Sequence, residues 1–312
     1  ALGSGTNGTI EALAIDDEGC LYAGGFFSRA GGILVGNIAK WDGSSWTALG
    51  TGLNGGVGSI VVDGHGNLYV GGSFSVAGGT AAHNIARWDG DAWAPLGSGV
   101  ASTYPWVGAL AVDESGCLYA GGSFTNAGGA PASHIAKWDG EGWTPLGEGM
   151  NGEVNALALD VDGFLYAGGR FTVAGIVDAG YVARWDGIKW HSLGAGVDHF
   201  VHAMVAIDGG GLCVGGLFTE AGTKPSYSMA IWHDGMTPIV VQQLTATRHA
   251  GVVELYCRLN GMVSGGEIEL WRRVSGCDDI RLSVMPAPMT TIHFTDVEPP
   301  SGAAEYRLRF VD

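Results

Sequence analysis

Residues 154–194 read VNALALDVDGFLYAGGRFTVAGIVDAGYVARWDGIKWHSLG, and four short runs within them carry the apolar, β-branched and aromatic residues that favour strands. The runs are Val154–Asp160, Leu165–Phe171, Val182–Asp186 and Trp190–Gly194, parted by Asp/Gly turns. The same pattern recurs along the chain. Trp-Asp-Gly stands at Trp41, Trp88, Trp138 and Trp185, so its aspartates are 47, 50 and 47 residues apart, and a degenerate copy reads Trp232-His233-Asp234-Gly235. A second marker, Gly-Gly-x-Phe, ends at Phe27, Phe74, Phe124, Phe171 and Phe218. Two independent markers therefore count five copies of one four-stranded unit.

Four short antiparallel strands repeated every 40 to 50 residues are the pattern of a propeller blade, because one such sheet has no way to bury its own faces. The expectation is a five-bladed β-propeller over residues 1–236. The recurring tryptophans and phenylalanines, each able to bury about 150–250 Å², are read as filling between sheets. A further element, Leu-Gly-x-Gly, follows the outer tryptophan at Leu49, Leu96, Leu146 and Leu193, and the chain opens on the same element at Leu2-Gly3-Ser4-Gly5. The fifth copy lacks it. The opening residues are accordingly expected to form an N-terminal strand that closes the last blade and removes two open edges.

The set Leu-Gly-x-Gly, D-x-x-G-x-L-Y-x-G-G-x-F, A-G-G and W-D-G-x-x-W resembles the kelch-like and Rax2-like W-D-G repeats of secreted bacterial β-propeller proteins. After Pro238 these signals stop. The runs Val240–Thr247, Val252–Leu259, Glu267–Val274, Ile280–Val284, Thr290–Phe294 and Glu305–Val311 read as six strands. Residues 237–312 resemble an immunoglobulin-like or fibronectin type III-like sandwich, a small β-sandwich whose family pattern has a seventh strand that is missing here. Either six strands suffice, or another molecule supplies the seventh by strand addition.

Composition bounds the function. Fifty-six glycines and 15% charged residues suit short strands and tight turns, and a net charge of −16 argues against nucleic acid, which needs clustered cations. No apolar run is long enough to span a bilayer, and the chain opens as a processed secreted protein would. Acidity and a candidate disulfide between Cys257 and Cys277 favour an extracellular or cell-surface location. Cys20 and Cys117 occupy matching positions in the first and third copies, too far apart for one bridge, and with Cys213 are left open as free or intermolecular.

Sixteen of the 31 acids fall in turns on one propeller face; they read as turn residues, with Ca2+ binding as the alternative and no other metal expected. On the opposite face Tyr104, Trp106, His134, Tyr181 and Tyr227 are candidates for stacking on a glycan. The seven cations of residues 237–312 are all arginines; Arg272, Arg273, Arg307 and Arg309 are candidates for self-association with the acidic propeller of another subunit. No nucleophile elbow, phosphate-cradling loop or acid/base pair with credible spacing is present, so the chain is expected to be non-catalytic. The leading expectation is an extracellular structural protein that self-assembles into a homopolymer, a filament or surface layer, through its C-terminal domain. A lectin-like or adhesive module is the rival, and a glycan-acting enzyme the third reading.

Overall fold

The structure, a computed structural model, describes side chains over residues 2–207 and 211–232, and beyond them the backbone of His233 and of strands reaching Val311. The chain is all-β, built of repeated small antiparallel sheets. Contacts divide it into two units: Ala1–Ser192 with Phe200–Met204, and Leu193–His199 with Val205–Asp312.

The first unit holds four four-stranded sheets. The first runs Thr9–Ile15, Leu21–Phe26, Ile38–Trp41, Trp46–Ala48 in order, and the second Gly56–Val62, Leu68–Ser73, Ile85–Trp88, Trp93–Pro95. The third and fourth repeat this plan from Val107–Val112 to Trp143–Pro145 and from Val154–Leu159 to Trp190–Ser192. Between the second and third strands of each sheet stands a small hairpin. In the first copy it joins Arg29–Ala30 to Ile33–Leu34 across Gly31 and Gly32, whose φ of 57° and 85° make a turn that side chains disfavour. The Ala-Gly-Gly motif is that turn.

Every residue of Leu118–Gly122 and Leu165–Gly169 is buried, so these second strands are covered on both faces. That explains why they read as continuous apolar runs rather than alternating ones. The cover is the neighbouring sheet. Tyr22 and Ile38 of the first sheet share one cluster with Val57, Ile60, Leu68 and Phe74 of the second. Tyr69 and Ile85 pack with Val107, Leu110 and Phe124, and Tyr119 and Ile135 with Val154, Leu165 and Phe171.

Glycine makes the close approach possible. A Cβ on Gly24 would strike the Val57 side chain, one on Gly71 would strike Val107, one on Gly121 Val154, and one on Gly168 Val201. The first glycine of each Gly-Gly-x-Phe is thus a hole for a valine of the following sheet.

The Leu-Gly-x-Gly element is a clasp between successive sheets. Trp93 Nε1 donates to the Leu49 carbonyl at 2.8 Å, Trp143 to Leu96 at 2.9 Å and Trp190 to Leu146 at 2.9 Å. The opening residues behave in the same way: Trp46 donates to the Leu2 carbonyl at 3.0 Å, and Gly3 lies against Trp41 and Trp46. This corrects the expectation that an N-terminal strand closes the last blade. Gly3 and Gly5 have φ of 56° and 72°, and Gly5 N bonds back to the Leu2 carbonyl, so the segment is a turn unable to continue a ladder. The strand that pairs with Met229–His233 is instead Thr237–His249, with Trp232 opposite Pro238.

The aromatic rows divide the work differently from the expectation. Phe124, Phe171, Phe218 and Trp232 are fully buried, but Trp41, Trp88, Trp138 and Trp185 are half-buried and lean on the second tryptophan of each motif at 5.2–5.5 Å.

In the second unit Thr237–His249, Val252–Asn260 and Thr291–Asp296 pair in that order, while Ile280–Pro286, Glu267–Val274 and Ala304–Val311 form a separate three-stranded sheet. Cys277 lies outside the described residues, as do the side chains of Cys257, Arg272, Arg273, Arg307 and Arg309.

Trp93→Phe removes the indole N–H and leaves the Leu49 carbonyl only the bond from Gly52 N. It should cost about 0.5–1.5 kcal/mol of stability, read from the urea midpoint at constant slope. An unchanged midpoint would remove the clasp from the account of stability.

Candidate functional site

The first strands of the sheets begin, and the second strands end, at one end of each repeat, because Thr9 pairs with Phe26, Gly56 with Ser73 and Val107 with Gly122. In the first unit this end gathers aromatic side chains. Phe26 and Trp106 stack with ring centroids 6.2 Å apart and planes 5° from parallel. They approach from the first and third copies across the second. Phe26 lies over Gly56 and Trp106 over Gly58, and any side chain at either glycine would displace a ring. Phe26 is half exposed and Trp106 half-buried. Tyr104, two residues before Trp106, stands almost fully in solvent, while its carbonyl accepts from Ser123 Oγ at 2.9 Å.

On the fourth copy Arg170 lies 5.0 Å above the ring of Phe200 and pairs with Glu153 at 3.5 Å. Tyr181 meets the same ring edge-on at 5.8 Å. The first cluster offers apolar ring faces, and the second an aromatic ring beside a paired guanidinium and carboxylate.

Of the five aromatic and histidine candidates named from sequence, Trp106 and Tyr104 sit at the first cluster and Tyr181 at the second. His134 and Tyr181 share a further role: both take a left-handed φ of 66° just before the third strand, as Asn37, Asn84 and Ser228 do. Their backbones bridge the second strand to the phenylalanine, His134 N donating to the Phe124 carbonyl and Gly122 N to the His134 carbonyl. The His134 ring nitrogen Nδ1 is 3.1 Å from the Gly122 carbonyl, so this side chain is turned to the backbone. Tyr227 is exposed and belongs to the second unit. Phe26 and Phe200 were missed. The signal for Phe26 is an aromatic at the variable place of Gly-Gly-x-Phe, where other copies have Ser73, Ser123, Arg170 and Leu217.

The acidic turns are engaged by their own backbone. Asp63 Oδ1 accepts from His65 N and Asn67 N, Asp113 from Ser115 N and Cys117 N, and Asp160 from Asp162 N and Phe164 N. The Trp-Asp-Gly aspartates do likewise: Asp89 accepts from Asp91 N and Ala92 N, Asp139 from Glu141 N and Gly142 N. Asp16, Glu18 and Cys20 bring ligand atoms within 4.8 Å of one another, but Asp16 already accepts from Cys20 N and Tyr22 and pairs with Lys40 at 3.3 Å. This is turn chemistry. Tyr166, beside Asp160, is pushed up to about 12, by burial first and by the carboxylate second. Cys20, Cys117 and Cys213 are free thiols, and burial raises that of Cys213.

Among the described residues no helix is long and apolar enough to cross a membrane. A cleft of about 390 Å³ on the fourth sheet is lined by Trp185, Trp190, Ile176, Ile188 and His191; Asp186 pairs with His191 at 2.6 Å beside it.

No protein-family profile matches the chain, and no curated protein matches it. Among solved structures, one named "Glycoside hydrolase" aligns over 100% of this chain and 96% of its own, at 9% identity and a TM-score of 0.35. The expectation that the chain is not an enzyme is withdrawn: the aligned structure bears an enzyme's name, and so slight a likeness argues neither for nor against a reaction. At that level the likeness assigns neither a reaction nor a residue to this chain.

The Asp42, Asp89 and Asp139 carboxyls lie below the ordinary carboxylate range, chiefly through the N–H groups of Ser45, Ala92 and Gly142, and Asp186 through His191. A depressed folded value means stability that is present above the unfolded value near 4 and lost as pH falls through the folded ones. Thermal scans between about pH 5 and pH 2 should therefore show a falling midpoint. The fall should be shallower in D42N/D89N/D139N/D186N, whose amides keep the turn acceptor without the charge; equal slopes would remove these turns from the acid response.

Proposed function

We propose that the five repeats are propeller-type blades and that the chain is an extracellular structural protein whose copies assemble into a filament or surface layer through residues 237–312. The observation that carries this is the strand Ala304–Val311, which pairs with Glu267–Val274 on one side and has no strand on its other side among the described residues. The strand orders of the two C-terminal sheets support reading residues 237–312 as an immunoglobulin-like or fibronectin type III-like sandwich. An eight-residue edge invites a strand from another molecule.

Charge supports a polar partner of the same kind. Arg307 stands opposite Trp271 and Arg309 opposite Glu269 in the pairing, and Arg272 and Arg273 lie on the adjacent strand. Residues 1–236 carry 8 cations against 22 acids, whereas residues 237–312 carry 7 against 9. An arginine-bearing edge brought to an acidic surface gains rate and register from attraction that salt weakens.

Electron microscopy and light scattering of the purified chain at low and at 1 M salt test this. Ordered polymers are expected at low salt, fewer at high salt, and fewer again for R307E/R309E. Polymers indifferent to both changes would rule out the C-terminal route.

A second reading, a lectin-like or adhesive module, is favoured by the Phe26–Trp106 stack, whose ring faces suit the apolar face of a sugar. Binding on a glycan array should drop roughly tenfold or more in Trp106→Ala, a loss of about 1.4 kcal/mol. An array without a hit would remove this reading.

A further inference from the structure

Asn-Gly pairs occur in the chain at Asn7, Asn54, Asn151 and Asn260, and the first three stand at one place in the repeat, one residue beyond Leu-Gly-x-Gly. The fold imposes both members of the pair. The asparagine is an exposed clamp on the start of the small hairpin: Asn54 Oδ1 accepts from Ser75 N and from Val76 N, each at 2.9 Å, and Nδ2 donates to Ser75 Oγ at 2.9 Å. Asn7 holds Ser28 N, Arg29 N and Ser28 Oγ in the same way, and Asn151 holds Thr172 N, Val173 N and Thr172 Oγ1. The glycine is required because backbone passes too close for a Cβ: the Phe26 carbonyl at Gly8, the Ser73 carbonyl at Gly55 and the Arg170 carbonyl at Gly152.

Ala101 takes this place in the third copy, and Asp198 takes it in the fifth. Asp198 sits in the same clamp, Oδ1 accepting from Thr219 N at 2.7 Å and Glu220 N at 2.8 Å, while the Thr219 hydroxyl donates to Oδ2 at 2.7 Å. Burial alone would raise the Asp198 carboxyl, but the Glu220 N–H, the Thr219 hydroxyl and the Thr219 N–H outweigh it and hold the group below its ordinary range. Two converging N–H groups at this place therefore favour negative charge on the oxygen they hold. The neighbouring hydroxyl accepts from an amide and donates to a carboxylate, so it serves either side chain.

We infer that Asn7, Asn54 and Asn151 are self-modifying sites that deamidate in the folded chain to aspartate, the side chain that Asp198 already presents in the same clamp. The nitrogen of the following glycine attacks the asparagine Cγ, and the N–H groups of Gly8, Gly55 and Gly152 donate to nothing among the described residues. As the N–Cγ bond forms, an electron pair of the carbonyl moves onto Oδ1, where the two N–H groups of the hairpin act as an oxyanion hole. The glycine proton passes to hydroxide, the pair on Oδ1 returns, and the Cγ–Nδ2 bond breaks, Nδ2 leaving as ammonia with a proton from water. Water then adds to Cγ of the resulting succinimide and splits the new N–Cγ bond, which restores the original peptide link and leaves a carboxyl group. Nothing is oxidised or reduced. Opening at the backbone carbonyl instead would give isoaspartate, whose longer main chain does not fit between the clamp and the strand that follows. Each conversion adds one negative charge to a chain already at −16. The inference goes beyond assembly and does not depend on it.

Incubation of the full chain at mildly alkaline pH, folded and in urea, tests this by peptide mass spectrometry that separates aspartate from isoaspartate. In the folded chain the three sites should convert roughly tenfold or more faster than in urea, since one well-placed donor to an oxyanion is worth about a hundredfold and the held backbone takes back part of that gain. Aspartate should be the main product when folded. N54D, which carries the product from the start, should keep the far-ultraviolet dichroism spectrum of the wild type, the Ser75 hydroxyl turning to donate as that of Thr219 does. Conversion no faster in the folded chain than in urea, or isoaspartate as the main product, overturns the inference. So does an N54D chain that fails to fold, because the clamp would then not accept the carboxylate.

Discussion

A valine resting on a bare glycine is the contact on which the rest of this structure depends. Sheets normally stack about 10 Å apart because side chains from both faces fill the gap. Here Gly24, Gly71, Gly121 and Gly168 carry nothing on the face turned to the next sheet, and the valine of that sheet occupies the space. The second strand can then be buried on both sides, Leu68, Tyr69 and Val70 being covered together. Once it is, each copy must have neighbours, and a lone copy has no stable form.

Everything polar is arranged around that dry contact. The indole of each outer tryptophan reaches back to the leucine carbonyl of the preceding copy, so the clasp joins the same two sheets that the valine joins. The turns are made by aspartates whose oxygens accept from backbone N–H groups two to four residues on. A chain with a net charge of −16 therefore places much of its charge where the charge also shapes the backbone. The Leu-Gly-x-Gly turn, the Ala-Gly-Gly hairpin and the left-handed residue before the third strand use positive φ for the same end: each reverses or offsets the chain within two or three residues.

Functional surfaces arise where the repeat departs from itself. Phe26 replaces a serine, an arginine or a leucine at one position, and meets Trp106 from a longer loop two copies on. Ile10 and Leu13 match buried residues elsewhere yet are themselves exposed. Met229 and Cys213 stand where the other copies have isoleucine or valine and tyrosine. Regular positions carry the stack, and irregular ones are free to meet something else.

The β repeat, the plan of its four-stranded sheets and the turn role of the aspartates were legible because each is a local matter of residue type and spacing: Trp-Asp-Gly and Gly-Gly-x-Phe mean the same thing wherever they recur. The opening Leu2–Gly5 was misread as a strand because an apolar residue ahead of Gly-Ser-Gly suits a strand as well as a turn, and only the φ values of Gly3 and Gly5 tell them apart. The stacking of Phe26 on Trp106 was not legible either, since the two are 80 positions apart and their meeting depends on the space left by Gly56 and Gly58. Sequence alone determined what each copy is, because strands and turns are set by a few neighbouring residues. Only the tertiary structure decided which glycine receives which valine, which strand lies beside Met229–His233 and which apolar face is left uncovered, because those depend on how one sheet fits upon the next.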